Sequence, residues 1–297
     1  MRPYKIETQK WAGTRPARTK TGESWMKTEL KTNLRAIWGR AYVRVVGAQR
    51  EPSWILFEIM MPLLAVATYV FVYRALGAPK EFTGFVILGG IMTAYWLNVL
   101  WSMASQFYWE KETGNLELYL IAPISRMSIL LGMALGGLFM STTRAAVILL
   151  GGIWLFNVTM IPTSWPLLVL VFLLCMVALY GLGMMASSLF LLFGRDAWQI
   201  STLLQEPIYV FSGFFFPVRS LGFAIGTIAS LIPLTLGIDA MRQLFFEAGR
   251  AHAFLPIGTE ILILTVLSVV FLWLANLLLL KMENLGKKEG RLTLRWQ

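Results

Sequence analysis

Long apolar runs alternate with short polar stretches along this chain, and the alternation sets the expected architecture. The runs fall at about 54–76, 84–106, 128–157, 165–193, 197–216 and 257–280. Each reaches the ~20 residues that a helix needs to cross the hydrocarbon of a bilayer, so the pattern predicts six transmembrane helices. Trp54, Trp96, Trp101, Trp109, Trp165 and Trp198 fall near run ends, where interfacial aromatic belts are expected. Two stretches depart from the pattern. Over 27–50, Leu30, Leu34, Ile37, Trp38, Ala41, Tyr42, Val45 and Val46 recur at three- and four-residue spacing, with Lys27, Lys31, Arg35, Arg40 and Arg44 largely opposite them. That pattern predicts a basic amphipathic helix lying along a membrane surface. Over 217–256 the chain is apolar in part but punctuated by Pro217, Gly222, Gly226, Pro233 and Gly237.

Charge resolves how the runs are threaded. Twelve of the 26 lysines and arginines precede residue 54, and five more follow residue 280. Two basic termini belong on the cytoplasmic side, which requires an even number of crossings. Six spans and an outer-side re-entrant helical hairpin over 217–250 meet that condition, provided other helices bury the hairpin's irregular backbone. The expected fold is therefore an all-α polytopic membrane protein. It has a cytoplasmic tail over 1–26, an amphipathic interfacial helix over 27–53, a six-span domain over 54–281 and a basic cytoplasmic tail over 282–297. The stretch 107–127 and the Gly194-Arg195-Asp196 turn then face the cytoplasm of a cell whose plasma membrane the chain spans. The loops 77–83, 158–164 and 239–256 face outward.

Composition agrees and removes other classes. Hydrophobic residues make up 57% of the chain and charged residues 14%, well below the share in soluble domains. The net charge of +10 sits mostly in the flanks, as topological signals beside anionic lipid do, so no nucleic-acid partner is expected. A lone cysteine, Cys175, lies in an apolar run and excludes a disulfide framework or a thiolate metal cage; it reads as an inert core thiol. His252 is the only histidine, so a Ser-His-Asp arrangement or a His-based zinc site has nothing to build on. No metal or cofactor site is expected. Asp239, Glu247 and Glu260 read as solvated or as caps of the hairpin, and Glu206 alone does not supply the paired acids of a membrane hydrolase.

Within this frame, 107–127 is the stretch that interrupts two apolar runs with charge. Glu110, Lys111, Glu112 and Glu117 are costly at the bilayer centre and belong in water or at an interface. Thr113-Gly114-Asn115-Leu116 contains a turn signal, Asn115 is a cap for a short helix carrying Glu117, Pro123 breaks that helix, and Ser125 is an N-cap for the next run. A short polar helix between two spans is well placed to take force from a soluble partner. Arg144 and Glu206 lie inside predicted spans, where a charge normally faces a bundle interior and is paired. Helix rise brings both near the midplane, so the two are expected to meet, either lining a route or fixing packing. Gln199 and Gln205 make the fifth run the most polar wall. Glu58 and Arg74 are expected to snorkel to the interfaces. Gly132-x-x-x-Gly136 and Gly222-x-x-x-Gly226 permit close helix contact.

The series Glu110-Lys-Glu-Thr-Gly-Asn-Leu-Glu117, followed by Leu120-Ile-Ala-Pro-Ile-Ser-Arg126 and a new span, resembles the cytoplasmic loop of type-2 ABC exporter permeases. Ser212-Gly-Phe-Phe-Phe-Pro217 resembles the pattern that the same family shows late in span five, with Ser212, Gly213 and Pro217 opening the re-entrant pair. The resemblance covers about residues 27–281. It implies a permease without its own motor, and the chain contains no Gly-x-x-x-x-Gly-Lys-Ser/Thr loop. ATP and Mg would sit on a separate cytoplasmic ATPase, present in two copies beside two permease chains, identical or paralogous. Glu110–Glu117 would be the coupling helix that docks there, its acids meeting basic residues, and the pathway would lie between the two permeases near spans one, two and five. Because the walls are rich in Phe, Met and Leu, the expected cargo is hydrophobic or amphipathic, a drug-like molecule or lipid. Export of a lipid-linked glycan is the alternative within the family. A passive channel or an intramembrane enzyme is the alternative outside it.

Overall fold

A computed structural model describes residues 22–193 and 195–289, and among these every regular element is helical. The expected tails lie outside the described residues up to residue 21 and from residue 290, as does Gly194 of the expected turn. The helices are α1 Gly22–Gln49, α2 Pro52–Ala75, α3 Glu81–Leu97, α4 Gln106–Glu112, α5 Asn115–Ile121, α6 Arg126–Phe156 and α7 Trp165–Phe193. They continue as α8 Arg195–Phe211, α9 Phe223–Ala229, α10 Pro233–Phe245, α11 Glu247–Ala251 and α12 Ile257–Glu289. Among the described residues, α2, α3 with its continuation, α6, α7 and α12 are long and apolar enough to cross a membrane. The α9–α10 pair meets the same test but bends by 111° at its break. The chain is a multi-pass membrane protein.

The second span is longer than its apolar run. A wide π-helical turn over Asn98–Met103 links α3 to α4, so the helix runs from Glu81 to Glu112, past the expected break at 107. Trp96, expected at an interface, is therefore mid-helix and buried. This span is the core of the bundle. In its most apolar stretch 89% of residues are buried, against 17% in α2 and in α12, which leave their apolar sides uncovered, as lipid-facing helices do. Small residues set its neighbours. A Cβ on Gly152 of α6 would meet Ile87, and one on Gly183 of α7 would meet Val99, so α6 closes on α3 and α7 on the stretch that continues it. α12 packs along α7.

α1 lies against the first half of α6. Gly132 and Gly136 admit it, since a Cβ at either would stand 2.6 Å from the Ile37 carbonyl oxygen or 3.0 Å from that of Ala41. Leu30, Leu34, Trp38 and Tyr42, spaced by four, remain exposed on the far face. The expected sorting of charge around α1 is corrected here: Arg40 and Arg44 turn toward the bundle.

The expected fifth span, 197–216, is helical only to Phe211. Gly213 then turns the chain at φ +66°, and a 3-10 turn over Val218–Leu221 leads into α9. Gly222 serves by its conformation, φ +82° with open space where a Cβ would be, and not by helix contact; Gly226 does meet a neighbour, the Phe254 ring. The stretch expected as a loop over 239–256 begins inside α10 and includes α11.

Candidate functional site

At one end of the bundle, α4 and α5 form a helical elbow between the second span and α6. Gly114 makes the corner at φ +79°, a conformation that a residue with a Cβ rarely adopts. Asn115 is the first residue of α5 and not its cap; its side-chain amide donates to Thr113 Oγ1 at 3.1 Å. α5 stops at Ile121, two residues before Pro123, and Ser125 occupies the position before α6, as expected. Leu116 is buried and anchors the elbow on the core. Lys111 and Glu112 are half-buried, whereas Thr113, Asn115, Glu117, Leu118, Ile121 and Pro123 face outward.

Glu110 does not face outward. It is buried, ion-paired with Arg40, and accepts a 2.7 Å hydrogen bond from Gln106 Nε2. The expectation that it is offered to a partner's basic residues is thereby corrected: a carboxylate can leave water when a guanidinium goes with it. Arg44 donates to Gln106 Oε1 at 2.9 Å and to Ser102 Oγ, and Arg40 lies over the Tyr119 ring, 5.5 Å from its centroid. Burial pulls the Arg44 guanidinium down to about 10, which leaves it charged at neutral pH. Burial also lowers Arg40, opposed by Tyr119. The Ser125 N–H donates to Asn33 Oδ1 at 2.9 Å, so α1 holds both ends of the elbow. From the other side, Arg126 donates to the Leu120 carbonyl and forms a 3.1 Å ion pair with Glu283 of α12.

Deeper in the bundle, Arg144 pairs with Glu58 of α2. This overturns the expected Arg144–Glu206 pair, and with it the expectation that Glu58 merely snorkels. Helix rise placed both residues at usable depths, but only packing decides which faces meet. Gln205 and Glu206 instead line a groove between α2, the second span and α8. One part of it, about 620 Å³, is bounded by Phe57, Glu58, Met61, Leu97, Trp101, Trp109, Gln205 and Tyr209. The adjoining part, about 430 Å³, shares Met61, Leu97, Gln205 and Tyr209 and adds Glu206, Tyr69 and Phe215.

The groove is closed at the far end by Ser212–Pro217, and here the structure supplies a residue that sequence reasoning missed. Arg242 of α10, essentially inaccessible, donates to the carbonyls of Gly213 (2.8 Å), Phe214 (2.7 Å), Phe216 (2.9 Å) and Phe85 (3.1 Å) and stacks on the Phe85 ring. Five donors in a planar fork suit a curled backbone whose carbonyls have left helical pairing. The Phe214 carbonyl is pressed on α3, where a Cβ at Gly89 would stand 1.6 Å from its oxygen. Ser212 and Pro217 are buried beside it. An arginine inside an otherwise apolar hairpin was the available signal. Asp239 and Glu260 are also buried, correcting their reading as solvated: the Gln243 amide reaches both, and Asp239 Oδ2 accepts from the Phe254 N–H at 2.9 Å. Cys175 is buried, with its thiol 3.5 Å from the Pro233 carbonyl oxygen, as an inert core thiol requires.

Over 140 residues the chain is 25% identical to a protein named "Probable multidrug ABC transporter permease YbhR" from Escherichia coli strain K12, and equally to its counterpart from Escherichia coli O157:H7. The match spans 46% of this chain and 37% of those proteins, so it reaches little more than a third of their length. A family model described as "ABC-2 type transporter" matches residues 32–246, which takes in the later part of α1, the elbow, the groove and the α9–α10 pair. By that match, over most of its length, the chain belongs to the ABC-2 type transporter family.

Proposed function

We propose that this chain is the permease of an ATP-driven exporter, and that the elbow over 107–127 couples it to a separate cytoplasmic ATPase. The observation that carries the reading is the division of labour within the elbow. Its inner side is fixed to α1 by Arg40–Glu110 and to α12 by Arg126–Glu283, while Glu117, Leu118 and Ile121 are left exposed. Apolar side chains outward on a polar loop form a small docking surface. A push there is passed to the second span, which continues into α4 without a break, and to α6.

On this reading α1 lies in the membrane interface with Trp38 and Tyr42 toward lipid, and the bent α9–α10 pair is a re-entrant hairpin at the outer face. Both termini are cytoplasmic in a plasma-membrane protein. Two permeases, identical or paralogous, work with two ATPases that bind ATP and Mg, and the groove along α2 and α8 carries a hydrophobic or amphipathic cargo. Nucleotide binding biases a bistable packing of the two bundles between inward and outward openings. The multidrug designation of the relative supports a drug-like cargo. A lipid-linked phosphoglycan finds less support, because Arg144, which reaches the groove-lining Glu58, is held by that carboxylate.

The test is site-directed crosslinking from Cys at position 118 or 121, in a chain whose Cys175 is replaced, to the P-loop ATPase that co-purifies with it. Crosslinks that change with nucleotide, together with transport that stops when hydrolysis is blocked, are expected. Labelling of either position from outside intact cells, or transport indifferent to ATP, would return the chain to the channel class.

A further inference from the structure

The groove holds a charge that its own walls do not neutralise. Glu206 is exposed to the groove and, among the described residues, has no ion-pair or hydrogen-bond partner. Glu58 differs, since Arg144 answers it. A carboxylate facing an apolar groove in a membrane protein is costly unless something of opposite sign comes to it. Around it the groove is rich in aromatic rings: Tyr209 one turn away, Tyr69 stacked on Phe215 at 4.2 Å, and Trp101 and Trp109 toward the elbow. Among the described residues, the side-chain oxygen of Gln205 is buried without a donor, which adds a second negative atom, and no lysine or arginine lines either part.

Rings, an amide oxygen and one carboxylate in an apolar groove make a receptor for one sign of charge. We infer that the groove selects lipophilic organic cations, with Glu206 as the counter-charge and Tyr209 as the principal ring. The inference deepens the exporter reading and rests on it only for the direction of movement; binding itself needs no ATPase.

The experiment uses the full chain in nanodiscs and two probes of nearly equal size and shape, tetraphenylphosphonium and tetraphenylborate. Saturable binding is read by equilibrium dialysis, with protein-free nanodiscs subtracted. The wild-type chain should prefer the phosphonium by about tenfold or more, and E206Q should reduce phosphonium affinity by about tenfold with no change in thermal midpoint. Tyr209→Leu should reduce it by about three- to tenfold, which keeps the claim testable should E206Q fold poorly. Equal affinity for the two ions, or full phosphonium affinity in E206Q, would overturn the inference. So would an E206Q chain that keeps its affinity but loses self-association, because the carboxylate would then belong to an interface between copies. Crosslinking of the elbow to an ATPase is unaffected by any of these results, so the two proposals fail separately.

Discussion

Arginines turn inward at both ends of the bundle, half-buried at the elbow and fully buried at the hairpin, and they meet different partners. At the elbow, Arg40 meets a carboxylate, Glu110, and Arg44 meets side-chain oxygens of Gln106 and Ser102. At the hairpin, Arg242 meets the carbonyls of Gly213, Phe214, Phe216 and Phe85. Side chains on separate helices can part and rejoin by rotamer changes, whereas carbonyls move only with the backbone that carries them. On the proposed coupling, the elbow is the end that shifts between packings and the hairpin is the fixed end against which it works.

The largest effect that bears on this contrast is expected at Arg242. Arg242→Met leaves the gathered carbonyls without donors and should cost about 4 kcal/mol or more, read as a large fall in thermal midpoint in detergent. Arg242→Lys should recover only part of it, because an ammonium lacks the fork. A midpoint unchanged by Arg242→Met would deny the hairpin its fixed character. Gly89→Ala comes next: a methyl driven into the Phe214 carbonyl should cost about 3 kcal/mol, the upper part of the range for overpacking. Arg40→Ala should cost less, about 2 kcal/mol, since water reaches the edge of α1, and the double change R40M with E110M should regain most of it because no buried charge is left over. If the double variant were no better than the single one, Glu110 would not depend on Arg40 for its burial. The smallest effect is expected from Ile121→Ser, within about 0.5 kcal/mol in stability. The same change should weaken ATPase capture by about tenfold in a pull-down titration.

Much of this molecule was legible in its sequence, for reasons that also mark where legibility stops. Hydropathy reports where apolar runs lie along a helix, so the spans at α2, α6 and α7 emerge within a few residues, while α12 starts as expected and runs on past 280 to Glu289. It does not report azimuth. Arg144 was therefore given the wrong partner, and Arg40 was assigned to the solvated side of α1. Glu110 shows a second ambiguity: a carboxylate between apolar runs is equally consistent with water and with a buried guanidinium. Arg242 escaped because Gly and Pro punctuation made its surroundings read as irregular, and the curled carbonyls that need it appear only in three dimensions. The Gly132 and Gly136 pair and the corner at Gly114 were readable because missing side chains have direct steric meaning.

The wide turn over Asn98–Met103 carries a consequence for every residue below it. In a regular α-helix each position advances about 100° around the axis, so an expanded turn re-aims all that follows by roughly one step. Trp101 thereby looks into the groove while Ser102, Gln106 and Glu110 look at α1. Removing one residue from this stretch would still leave a membrane-length helix, but its two halves would be keyed to different neighbours. The groove would lose Trp109 and the α1 contact would lose Glu110 together, so a transporter of normal abundance would be left with its gears out of mesh.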